Sequence, residues 1–179
     1  MPTYVALLRG INVGKRNRVA MADLRALLDG LGYDDVRTHL QSGNAVFATP
    51  TRSARTVEKD VEKAIKAELG LDIRVLVRSA AQLGDVVAAD PLGDRASDPS
   101  RYLVVFCEKP VPRDVFGDLE APSYAPEEFA AAGHELFLWL PKGVYESRLV
   151  KALTEKRLGG ASTMRNWRTV AKLAELASS

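Results

Sequence analysis

An α+β fold of two ferredoxin-like βαββαβ halves, the second degenerate, with antiparallel sheets and an extra C-terminal helix, is what this 179-residue sequence predicts. Three observations carry that prediction. Over residues 1–90, strand-length apolar runs alternate with segments of helical period in the order β, α, β, β, α, β. A loop rich in Pro, Gly, Asp and Ser over residues 91–100 interrupts the chain near its middle. Over residues 101–179 the same order of elements then begins again.

In the first half, Tyr4 to Leu8 is an apolar run with little alternation, which predicts a buried strand. Met21, Leu24, Leu27, Leu28 and Leu31 recur at helical spacing, and Gly30 and Gly32 mark that helix's end. Val36 to Gln41 and Asn44 to Thr49 read as the arms of a hairpin turned at Ser42-Gly43. A second helix begins at Ser53, with Val57, Val61, Ala64, Ile65 and Leu69 as its apolar stripe, and Leu71 to Val77 makes the fourth strand. Ser79 and Gln82 have capping-box spacing, so a bridging helix follows and runs toward Asp90-Pro91. In the second half the expected elements are a strand at Tyr102 to Cys107, a short helix at Arg113 to Leu119, and two strands about a turn at Gly133-His134. A helix from Ser147 to Arg157, a truncated strand at Ala161 to Met164 and a terminal helix from Asn166 to Ala177 complete the pattern.

Composition narrows the function classes. A 46% hydrophobic content suffices for one or two packed cores, so a folded chain is expected. The longest apolar runs are strand-length, which predicts no membrane-spanning helix. No signal-peptide pattern precedes the first strand, and the one cysteine, Cys107, permits no intrachain disulfide, so a cytoplasmic location is expected. The net charge of +2 is unevenly spread. Residues 9–18 carry Arg9, Lys15, Arg16 and Arg18 with no acid. Residues 79–135 hold eleven acids against four bases, and residues 142–172 hold eight bases against two acids. Should the two basic segments meet, they would form one cationic face.

Three segments carry a further resemblance. They are Tyr4-Val5-Ala6-Leu7-Leu8-Arg9-Gly10-Ile11-Asn12-Val13-Gly14, then Gln41-Ser42-Gly43-Asn44-Ala45-Val46-Phe47, and Thr163-Met164-Arg165-Asn166-Trp167-Arg168-Thr169-Val170. In these the chain resembles the bacterial family called domain of unknown function 1697. The resemblance implies a duplicated ferredoxin-like α+β protein and no assigned activity. One departure is local: the family reads Gly-Gly after the valine, and here Gly14 is followed by Lys15.

The candidate binding residues fall in the same segments. Arg9, Gly10, Asn12, Gly14, Lys15 and Asn17 form a cationic loop with glycines that permit close backbone approach to an anion. It is no Walker motif, because three residues separate Gly10 from Gly14 and Arg16 stands where the hydroxyl belongs. The competing reading is a tight connection whose asparagines make side-chain turns. Gln41, Ser42 and Asn44 offer amide and hydroxyl groups at a hairpin turn, and whether this turn meets the loop is open. Arg165 and Asn166 open the last helix, where a cap beside a guanidinium suits an anion; convergence of Arg9 with Arg165 would place two guanidinium forks on one phosphate or carboxylate.

Catalytic constellations are missing. His39 and His134 lie far apart, Cys107 sits in an apolar strand, and the inventory predicts no metal site and no cofactor. No catalytic residue is assigned. The favoured reading is a protein binding a small anionic ligand, phosphate- or carboxylate-bearing, through the Arg9–Lys15 loop and Arg165. The second is a nucleic-acid-binding module using the basic N- and C-terminal segments, and the third a protein-interaction domain without a small ligand. Sheet recognition of RNA needs exposed aromatics, for which the strands offer Tyr4, Phe47, Tyr102, Phe106, Phe137 and Trp139.

Overall fold

A computed structural model of the protein describes residues 1–116 and 124–179, in two compact units. The first comprises residues 1–85 with 172–179, and the second residues 86–171.

In the first unit the chain runs β1 (Thr3–Leu8), α1 (Met21–Gly30), β2 (Asp34–Thr38), β3 (Asn44–Ala48), α2 (Ala54–Leu69) and β4 (Val75–Ser79). These four strands form one antiparallel sheet in the order β2-β3-β1-β4. Tyr4, Ala6 and Leu8 share one face with Ala45, Phe47, Val75 and Val77, and the helices pack there through Leu24, Leu27, Leu28, Val57, Val61 and Ile65. Val5, Leu7, Val46 and Leu76, on the other face, are buried too. Burial on both faces explains why the strands read as continuous apolar runs.

Local chemistry sets the helix ends. The Ser53 hydroxyl accepts from the Thr56 N–H at 3.3 Å, and Gly70 closes α2 in the left-handed conformation. β4 is an edge strand, and its outward N–H groups are taken by carboxylates of α2: Val75 donates to Glu62 at 2.9 Å and Val77 to Glu58 at 3.0 Å. Those bonds close the edge to pairing with another strand.

Two strand boundaries differ from the expectation. β2 spans Asp34–Thr38 instead of 36–41, because a register shift with Asp35 at φ +52° lets it start early, and Leu40 at φ +62° ends it. β4 spans Val75–Ser79 instead of 71–77. Leu71 is only partly buried and Ile73 is buried in the core, but both belong to the link that follows Gly70.

α3 (Ala80–Ala89) follows β4 with the expected capping box, Gln82 N–H to Ser79 Oγ at 3.1 Å and Ser79 N–H to Gln82 Oε1 at 2.9 Å. The chain leaves the first unit within this helix.

The second unit carries β5 (Tyr102–Cys107), β6 (Glu128–Ala132), β7 (Glu135–Trp139), α4 (Arg148–Ala152), α5 (Glu155–Leu158), β8 (Ser162–Asn166) and the first turns of α6 (Trp167–Ser178). Its antiparallel sheet has the order β6-β7-β5-β8. The expected helix from Arg113 to Leu119 lies partly outside the described residues; 113–116 form turns. The single helix expected over 147–157 is two short ones. Leu153 is extended, and Ser147 and Thr154 each cap a new start.

β8 is not truncated: it has five residues, as β4 has. It also contains Arg165, which therefore lies in the strand instead of beside the helix start, and it ends at Asn166, where the helix opens as expected. Asn166 is the cap of α6, its Oδ1 accepting from the Thr169 N–H at 3.0 Å. The far end of α6 belongs to the first unit, where Arg37 on β2 donates to the Leu176 carbonyl at 2.8 Å and to Ser179 Oγ at 2.9 Å.

Candidate functional site

The chain leaves β1 through a locked hairpin. Gly10, Asn12, Gly14 and Asn17 all stand at positive φ, between +50° and +66°. Val13 and Arg16 bridge across the tip, with the Arg16 N–H donating to the Val13 carbonyl at 3.2 Å. Below the tip, the Asn12 N–H donates to the Asn17 carbonyl at 3.0 Å and Asn17 Nδ2 to the Gly10 carbonyl at 3.2 Å. Asn12 is the clamp of this arrangement. Its Oδ1 accepts from the Val19 N–H at 2.9 Å, while its Nδ2 donates to the Val19 carbonyl at 2.9 Å and the Gln41 carbonyl at 2.6 Å. These are not the local side-chain turns expected at the two asparagines: both side chains bond backbone groups at least seven residues away and so tie the ends of the loop together.

The bond to Gln41 answers the question the sequence left open: the loop and the hairpin turn meet. Ile11 is buried at their junction, where a Cβ on Gly43 would come within 2.6 Å of Ile11 Cδ1 and 2.9 Å of Leu8 Cβ. Only a glycine at φ +87° fits there. The Gly43 carbonyl accepts from the Leu8 N–H at 2.9 Å, stitching the turn to β1. Asn44 is fully buried, donating to the His39 carbonyl at 2.7 Å and to Ser42 Oγ at 3.1 Å, so it shapes the turn from within. Gln41 and Ser42 are on the surface.

Charge lies on the outside of this frame. Lys15, Arg16 and Arg18 are exposed, and among the described residues none has an ion-pair or hydrogen-bond partner for its side chain. Arg9 is half-buried, and its N–H donates to the Arg74 carbonyl at 3.0 Å. Two apolar side chains flank the cations: Val13 is 67% exposed, and Leu40, next to Gln41, is 54% exposed.

Arg165 and Asn166 lie in the second unit. The Arg165 side chain is 8% exposed and donates to Thr163 Oγ1 at 2.7 Å and to the Met164 carbonyl at 2.9 Å. Burial lowers its pKa to about 10. The first unit has a counterpart that sequence reasoning missed. Arg78 on β4 is 7% exposed and donates to the carbonyl of the residue before it, Val77, at 3.1 Å. Each arginine is followed by the cap of the next helix, Ser79 or Asn166. The pairs Arg78-Ser79 and Arg165-Asn166 were the available signal.

Sequence reasoning also missed a cavity of about 410 Å³ in the second unit, lined by Leu92, Arg95, Pro126, Glu128 and Phe129 among others. Its polar groups are engaged with one another or with the backbone. Arg95 pairs with Glu128 at 2.8 Å, and Glu127 accepts from Ser147 Oγ and from the Arg148 and Leu149 N–H groups. Of the strand aromatics, Tyr4, Phe47, Tyr102, Phe106 and Phe137 are buried, and Cys107 is buried as well. Among the described residues no cluster of His, Cys, Asp and Glu could hold a metal, and no helix is long and apolar enough to cross a membrane.

A family model described as "Protein of unknown function (DUF1697)" matches residues 1–137. Among solved structures, the conserved bacterial protein SP0830 from Streptococcus pneumoniae is similar, with a TM-score of 0.76 and 24% identity over 98% of each chain. At that identity the likeness is one of fold. No curated protein matches the chain.

Proposed function

The chain belongs to the DUF1697 family, and we propose from its own geometry that it binds a phosphate- or carboxylate-bearing ligand through the hairpin of residues 9–18. One observation carries this reading: Lys15, Arg16 and Arg18 are exposed and unpartnered on a backbone that Asn12 and Asn17 hold in one conformation. A flexible loop would lose conformational freedom on gripping an anion, whereas this one is ordered beforehand. Gly14 and Lys15 at the tip have no hydrogen-bond partner among the described residues, so their N–H groups are available to an anion as a nest. Asn12 and Asn44 serve the site as its frame, and Gln41 and Ser42 stand at its edge.

Arg165 has no part in this proposal, because its guanidinium is buried and bonded to Thr163 and Met164. The fold reading extends with it. In each sheet the strand order, with the unit's first strand (β1 or β5) inside and its last (β4 or β8) at an edge, supports two ferredoxin-like βαββαβ halves, the second degenerate. A cytoplasmic location is part of the same reading, supported by a single buried cysteine.

The test is an amide-resolved NMR titration with inorganic phosphate, pyrophosphate and citrate. Shifts concentrated at Gly14, Lys15 and their neighbours, and lost in Lys15→Ala/Arg16→Ala/Arg18→Ala, are the expected result. Amides of residues 9–18 that do not move, or a triple variant that responds as the parent does, would refute the assignment.

A further inference from the structure

We propose that the anion recognised by the hairpin is the phosphodiester backbone of a nucleic acid; this rests on the reading of the hairpin as an anion site and narrows it. Magnitude decides between a compact ligand and a polymer. Each exposed cation gains at most about fivefold in affinity from a single ion pair in water. Three of them, Lys15, Arg16 and Arg18, would hold a lone phosphate with a gain of only about a hundredfold, hence in the millimolar range. A polyanion adds the release of its condensed counterions, and affinity then scales with the number of phosphates met.

The spacing suits such a polymer. Lys15, Arg16 and Arg18 lie within at most about 10 Å of chain, and successive phosphates of one strand advance by about 3.4 Å along a duplex, so up to three neighbouring phosphates are within the range of the three cations.

The apolar flank points the same way. Asn12 is bonded to Gln41, so their sequence neighbours Val13 and Leu40 are carried on the two tethered loops, 67% and 54% exposed. Leu40 holds that exposure at φ +62°, where an unbranched polar residue would be less strained. A hydrated phosphate has no use for exposed apolar carbon, whereas sugars and base faces do. Gln41 and Ser42, exposed on the same turn as Leu40, add an amide and a hydroxyl group, the latter accepting from Asn44 at 3.1 Å. Five of the six strand aromatics are buried and only Trp139 is partly exposed, so the sheets offer no row of aromatics for stacking successive bases, and recognition falls to the loops, through the phosphate backbone and independent of sequence.

Fluorescence anisotropy of the full chain with labelled mixed-sequence RNA and DNA of about 20 nucleotides, single-stranded and duplex, tests the proposal between about 50 and 200 mM salt. Three phosphate contacts predict a slope of log affinity on log salt near −2 for single strands and near −3 for duplex, a loss of about twentyfold to fortyfold across that range. Lys15→Ala/Arg16→Ala/Arg18→Ala should lose at least about tenfold at low salt and flatten the slope towards zero, with an unchanged circular dichroism spectrum. Val13→Ser/Leu40→Asn should weaken binding and leave the slope as it was.

Absence of binding to every oligonucleotide, a triple variant with parental slope, or equal affinity for poly-glutamate would each overturn the nucleic-acid assignment. If inorganic phosphate still moves the Gly14 and Lys15 amides in that case, the anion site stands and its ligand is small. If phosphate moves nothing either, both readings fall.

Discussion

Asn12 is the residue on which the hairpin's shape most directly depends, and its removal has a magnitude that follows from its contacts. Asn12→Ala removes three hydrogen bonds, from the Val19 N–H and to the Val19 and Gln41 carbonyls. Each is worth about 1 kcal/mol net, so together they contribute about 3 kcal/mol. The backbone adds a separate amount, because Asn12 stands at φ +54°, where an alanine costs about 1 kcal/mol more than a glycine. Asn12→Ala should therefore lose about 4 kcal/mol and Asn12→Gly about 3 kcal/mol. Asn12→Asp keeps the acceptor for Val19 but turns the donor into an oxygen facing two carbonyls, so it should fare no better than alanine. Both tryptophans lie in the second unit, so urea unfolding is best followed by far-ultraviolet circular dichroism, with amide exchange at Val19 as the local probe. Rapid exchange at Val19 should accompany the loss. An Asn12→Ala protein within about 1 kcal/mol of the parent would refute the clamp, and equal losses for the alanine and glycine variants would refute its conformational part.

Other substitutions separate packing, conformation and charge. Gly43→Ala should cost about 2–4 kcal/mol, because its Cβ collides with Leu8 Cβ and Ile11 at φ +87°, whereas Gly14→Ala, with open space around it, should cost about 1 kcal/mol; similar values by urea unfolding would refute the clash. Asn166→Ala should lose about 1 kcal/mol with the cap of α6, and no change in stability would show the cap to be unimportant. Tyr33 stacks on Phe47 at 4.7 Å, and its buried hydroxyl has no partner among the described residues, so Tyr33→Phe should be neutral or stabilising at pH 7. Burial, helped by Asp60, pushes the Tyr33 phenol up to about 12 from an ordinary value near 10. A raised folded value means stability that is complete below pH 10 and is lost as pH climbs to about 12. The parent should thus fall relative to Tyr33→Phe by about 2–3 kcal/mol across that window, and parallel pH profiles would contradict the shift.

What the sequence made legible was whatever depends on near neighbours. Ser53 at the start of α2 and Ser79 with Gln82 at the start of α3 are local chemistry, and each does in the structure what the sequence predicts. Helices within a longer basic segment were less legible, since Leu149 and Leu153 are correctly spaced for one helix while Thr154 starts another. Strand ends misled where apolar residues continue past the ladder, as Leu71 and Ile73 do before β4. Long-range facts were beyond reach. Asn12 and Gln41 are 29 residues apart, and no spacing rule links an asparagine side chain to a distant carbonyl. Arg165 read as an anion contact and Arg78 drew no reading, because arginine is seldom buried and the burial of both is a property of the sheets around them.

Those two arginines also help to separate scaffold from site. Arg78 pairs with Val5, the third residue of β1, and Arg165 pairs with Val104, the third residue of β5. Each is the fourth residue of a five-residue strand, bonds the preceding carbonyl and precedes a helix cap. A buried guanidinium is costly to desolvate, so its recurrence at one place in both units marks it as part of the repeated architecture. The segments after β1 and β5 do not recur. Residues 108–116 carry Glu108, Lys109, Arg113 and Asp114, a net charge of zero, and no positive φ. Residues 9–18 carry four cations, no acid and four positive-φ positions, two of them asparagine. The second unit leaves its first strand without those features, so connecting elements does not demand them. Unfavourable conformation and concentrated like charge persist together where another property depends on both. The proposed anion site would use each: the turn at Gly14 leaves the Gly14 and Lys15 N–H groups without a partner among the described residues, and the cations complete the field they begin.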